Sequence, residues 1–147
     1  MAANKNSLNG YIDSVGEMFA KLPAMPKGGR DFFVMILPWV ALIFGALGVL
    51  GAISSFGLFS YFSSYMYWGG VDFVGRGMIS VILSLAASVL LLLAFPGLNK
   101  KKENGWNFIY YSEVLALVSN IVMFSVGGVL VTLVGFYILY QIRSYYK

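Results

Sequence analysis

The chain has 147 residues, enough for one domain, and it is 59% apolar and 11% charged, where soluble proteins average about 25% charged. A soluble domain of this size needs more polar surface, so lipid is the expected solvent for most of it. With no Cys and no His, disulfides, thiolate nucleophiles, Cys/His zinc sites, His-ligated haem and the commonest general base are all excluded. No metal or cofactor is expected. The net charge of +4 is spread along the chain without a basic stripe or recognition motif, which argues against nucleic acid.

Residues 1–30 read as a cytoplasmic amphipathic helix and linker. Leu8, Tyr11, Ile12, Val15, Met18, Phe19 and Leu22 recur at helical spacing, with Asp13, Glu17 and Lys21 on the other side. Glu17 and Lys21 are placed for an i,i+4 pair, and the helix is expected to start between Ser7 and Asn9 and to end at Pro23. No apolar run long enough for a signal peptide follows the N-terminus. The helix carries two acids and two bases between Lys5 and Lys21, so burial of its apolar face must hold it down. Interfacial lipid is favoured over docking on protein.

Residues 31–147 read as a four-span membrane domain. The spans are expected at about 32–53, 77–95, 106–123 and 128–142. The first holds Pro38, expected to kink it, and Pro96 with Gly97 is expected to stop the second. Between them, 54–73 is read as an external loop, with Phe56, Phe59, Phe62 and Met66 on one side of a short interfacial helix. Tyr65, Tyr67 and Trp68 suit an aromatic belt. Residues 125–128 are the expected turn between spans three and four.

Four spans put Lys5, Lys21, Lys27, Arg30, Lys100, Lys101, Lys102, Arg143 and Lys147 on one side and Arg76 alone on the other. By the positive-inside rule both termini are cytoplasmic. The expected home is a prokaryotic cytoplasmic membrane.

Helices in lipid need close contact to associate, and each span offers small residues at helical steps. These are Ala41, Gly45, Gly48 and Ala52; Gly77, Ser80, Ser84 and Ala87; Ser112, Ala116 and Ser119; and Gly128, Thr132 and Gly135. Four such stripes argue for a compact bundle. Against this background Glu113 stands out, seven residues past Trp106 and so about 10 Å into its span, with Asn120 two turns further on. A carboxyl at that depth must be paired, hydrated or protonated. Tyr137, Tyr140 and Gln141 on the antiparallel fourth span are level with it and are the expected hydrogen-bond partners, while Arg76 and Asp72 are expected to pair with each other. With no base at its own depth, Glu113 is expected to hold its proton.

No HExxH, phosphate loop or nucleophile beside a base is present, so no enzyme activity is expected. The sequence favours an all-α integral membrane protein that acts without catalysis, as a membrane-complex subunit or assembly factor. Its partners would be the lipid bilayer and further copies of itself or another membrane protein. The competing expectation is a small oligomeric channel or transporter for protons, cations or a small solute, with Glu113 in the path.

Overall fold

A computed structural model describes residues 2–66 and 71–146, with side chains over 10–61 and 75–146. Five α-helices follow one another: α1 (Ala2–Ala20), α2 (Lys27–Met66), α3 (Val71–Asn99), α4 (Glu103–Val122) and α5 (Val126–Ile142), closed by a 3-10 turn over Arg143–Tyr145. There is no strand among the described residues.

Three helices are long and apolar enough to cross a membrane, over Lys27–Tyr61, Gly75–Asn99 and Val126–Tyr145. Their outward faces bear Met35, Phe44, Leu47, Ile53, Ile82 and Val131, all exposed, while Ser88, Ser112, Ser119 and Thr132 are buried. Water-soluble proteins sort these residue types the other way round. The order suits a hydrocarbon solvent.

Several boundaries differ from those expected. Most of the 54–73 stretch is helix, because α2 continues without a break to Met66. Serine in this stretch does not break it, since Ser55 donates to Gly51 O at 2.8 Å and Ser60 to Phe56 O at 3.0 Å. Pro38 does not interrupt α2 either. The aromatic-belt residues Tyr67 and Trp68 lie outside the described residues, as do the side chains of Leu8, Phe62, Tyr65, Met66 and Asp72.

Pro96 does not stop α3, which runs on to Asn99. The stop is a Schellman closure, with Lys102 N–H to Gly97 O at 2.8 Å and Lys101 N–H to Leu98 O at 3.0 Å. Lys101 takes the left-handed position, at φ 52°. The α4–α5 turn repeats the device around Phe124, also at φ 52°, with Ser125 N–H to Asn120 O at 2.9 Å. Ser125 then caps α5, accepting from Gly128 N–H at 3.2 Å, so Gly127 and Gly128 belong to the helix and not to the turn. At the other terminus α1 begins at Ala2, earlier than expected.

The four long helices run antiparallel in series. α2 meets α3 where Gly45 faces Leu92, Gly48 faces Ser88 and Gly77 faces the ring of Phe59. α3 and α4 cross backbone to backbone: a β-carbon on Gly97 would lie 2.7 Å from the Gly105 Cα. Further along the pair, the Ser80 and Ser119 hydroxyls share a hydrogen bond at 2.7 Å. The core gathers at one end of the bundle around Trp106, which is 1% exposed, stacks on Tyr110 at 5.4 Å and donates to Leu139 O at 2.9 Å. Leu98, Phe136, Ile142 and Tyr146 complete it.

α1 docks on the end of α5. Ile12 is buried, Gly16 lies against the Tyr140 ring and Phe19 stacks on that ring at 5.3 Å. Tyr11 and Met18, from the same expected apolar face, remain 73% and 72% exposed. The face is therefore divided between protein and surroundings. Glu17 and Lys21 do not pair; the ion pair among the described residues joins Arg143 to Asp13 at 2.7 Å.

Candidate functional site

Glu113 projects from the middle of α4 toward α5. The fit is close, because a β-carbon on Gly135 would lie 3.0 Å from Glu113 Oε2 and 3.1 Å from its Oε1. A side chain at position 135 would press on the carboxyl group and make it shift. Beside it opens a cavity of about 250 Å³, walled by α3 and α4 with Phe44 of α2 at one side. Its polar lining is Ser84, Ser88, Ser112, Glu113, Ser119 and Asn120, and its apolar lining is Phe44, Ala87, Leu91 and Ala116.

Three of the four serine hydroxyls are engaged in hydrogen bonds. Ser88 donates to Ser84 O at 2.7 Å, Ser112 to Ile109 O at 2.8 Å, and Ser119 shares its bond with Ser80. Their oxygens keep acceptor capacity. Asn120 donates to Thr132 Oγ1 at 3.1 Å, and Thr132 in turn donates to Gly128 O at 2.9 Å. Glu113 has no hydrogen bond or ion pair with any described residue. No basic side chain lines the cavity. The result is a site rich in oxygen acceptors, one of them a carboxyl group. Its chemistry suits a proton, a cation or an ammonium group. Among the described residues there is no group of three His, Cys, Asp or Glu able to hold a metal ion.

The expected partners of Glu113 are elsewhere. Tyr137 donates to Pro23 O at 2.6 Å, Tyr140 donates to Ile12 O at 2.9 Å, and Gln141 Oε1 accepts from Met25 N–H at 3.2 Å. All three hold the N-terminal segment. The reason is angular. At 100° per residue, Tyr137, Tyr140 and Gln141 lie about 200°, 140° and 240° round α5 from Gly135, on its far side. Tyr140 and Gln141 also lie five and six residues beyond Gly135, level with Trp106 and not with Glu113. Arg76 places its guanidinium 5.0 Å above the Phe124 ring, and its expected partner Asp72 has no described side chain.

The small-residue stripes meet inside this one chain. Ala41, Gly45, Gly48 and Ala52 face inward from α2, with Ala41 and Ala52 buried. Gly77 faces α2 from α3, Ala87 is buried, and Ser80 joins α4. Gly128, Thr132 and Gly135 face Asn120 and Glu113. Ser84, Ser112, Ala116 and Ser119 line the cavity as well as the seams beside it. Sequence reasoning missed the Gly97–Gly105 crossing and the polar cavity. The signal for the first was glycine on both sides of the LNKKKEN loop, and for the second the four serines against two alanines in the stripes of the second and third spans. Comparison with protein-family models, curated proteins and solved structures gives no match.

Proposed function

We propose that the chain is a four-span bundle with both termini in the cytoplasm of a prokaryotic membrane, and that its cavity is a proton- or cation-binding site on a transport path. α4 is too polar to rank as a span by composition, yet it lies level with α3 and α5 from Gly105 to Ser119. Helices packed along their length cross together, and the polar residues of α4 face the cavity and not the lipid. Nine of ten basic residues then share one side. In the same arrangement α1 rests at the cytoplasmic interface, with Tyr11 and Met18 toward lipid.

The observation that carries the transport reading is Glu113: a carboxyl without a partner among the described residues, beside a polar cavity, in a helix packed between two apolar ones. The assembly reading loses ground because the stripes that would have met a partner are occupied within the chain. An open path would form along the cavity or between copies of the chain. Reconstitution into liposomes with an imposed proton or alkali-cation gradient tests this. Wild-type protein should dissipate the gradient, and Glu113→Gln should not. A silent wild type overturns the reading and returns attention to assembly, whose mark is a co-purifying membrane partner.

A further inference from the structure

At the opposite end of α5 from Ser125, a second cavity of about 510 Å³ lies between α1, the first turn of α2 and the close of α5. Four charged groups line it: Asp13 and Glu17 from α1, Arg30 from α2 and Arg143 beyond α5. Asp13 and Arg143 neutralise each other at 2.7 Å. Arg30 and Glu17 pair neither with each other nor with any other described residue. Arg30 is half-buried, and its Nε is fully shielded without a hydrogen-bond acceptor. The shielded Nε does not face the cavity, so an anion there would be met by the outer nitrogens of the guanidinium. The cavity is set where the apolar stretches Lys27–Tyr61 and Val126–Tyr145 begin and end, which is headgroup depth in a bilayer.

We propose that this cavity binds a phosphate ester carrying an ammonium group, with Arg30 on the phosphate and Glu17 on the ammonium. A phosphatidylethanolamine headgroup has that chemistry. Charge balance selects it: the four side chains sum to zero, so a net-neutral zwitterion leaves the site neutral. A phosphatidylglycerol headgroup has no cation for Glu17. A choline headgroup has no N–H to donate. The inference uses the membrane arrangement proposed above and is independent of any role for Glu113.

Native mass spectrometry of the full chain, delipidated in detergent and titrated with each lipid, tests it. One phosphatidylethanolamine per chain should be retained about tenfold more strongly than phosphatidylglycerol or phosphatidylcholine. Arg30→Gln should lower that retention about tenfold, and Glu17→Gln should abolish the preference over phosphatidylcholine. Neither side chain holds the fold, so both variants should melt with the wild type when lipid-free, and Arg30→Lys should keep part of the binding. Soluble phosphoethanolamine at millimolar concentration should not displace the lipid; if it does, the site stands and its ligand is the soluble ester. Equal retention of the three lipids, or variants that bind like the wild type, would overturn the proposal.

Discussion

The first turns of α4 and its middle use polar groups in opposite ways. Around Trp106, rings pack edge and face against one another: Tyr110 at 5.4 Å, Tyr140 at 5.8 Å, and Tyr110 on Phe136 at 5.6 Å. The indole N–H there is fixed on a backbone carbonyl. Two turns further along, around Glu113, the side chains are small, the space is open and the carboxyl has no partner. One region is built for rigidity. The other leaves a carboxyl group with no hydrogen bond or ion pair to any described residue.

If that division is right, substitutions should separate cleanly, and the largest effects should fall at the ring-packed end. Gly105→Leu places a side chain on the backbone of Gly97 and Leu98, and it should cost about 4 kcal/mol or more, seen as loss of a monodisperse folded protein in detergent. Trp106→Ala empties the core and removes the bond to Leu139, an expected loss of about 3–5 kcal/mol in a thermal or denaturant melt. At the open middle, Glu113→Gln should change stability by less than about 1 kcal/mol, since no hydrogen bond of the carboxyl is lost. A loss of about 2 kcal/mol or more would make Glu113 a structural residue and dissolve the contrast. One substitution should bring a modest gain: Lys101→Gly relieves a left-handed side chain and should add about 1 kcal/mol to the melt.

Much of the fold was legible in the sequence because hydropathy and length govern it. The apolar runs, their antiparallel order and the inward-facing small residues Gly45, Gly48 and Gly135 all follow from patterns along one dimension. Helix ends were less legible. Pro96 was expected to stop α3, but a proline in the last turn removes one bond and leaves a Schellman closure possible, and Lys101 and Phe124 carry no glycine signal. The site was half legible. A lone acid in an apolar helix announces itself, as Glu113 does. Its surroundings depend on rotations between helices, which is why Tyr137, Tyr140 and Gln141 were assigned to the wrong neighbour. Ser84 looked like a packing residue because a seam and a cavity ask for the same small side chains.

The ties between α1 and α5 also set an order of events during synthesis. Tyr140 reaches back 128 residues to Ile12, Arg143 reaches back 130 to Asp13, and Tyr137 reaches back 114 to Pro23. α1, made before the four long helices, therefore docks on α5, made after the other three. Until α5 is made, α1 has an apolar face and no protein to bury it against, and the membrane surface is its only shelter. A nascent chain cut before α5 should keep α1 accessible to protease, and the completed chain should protect it. Closure of the N-terminal segment thus reports that α5 has been made and is in place.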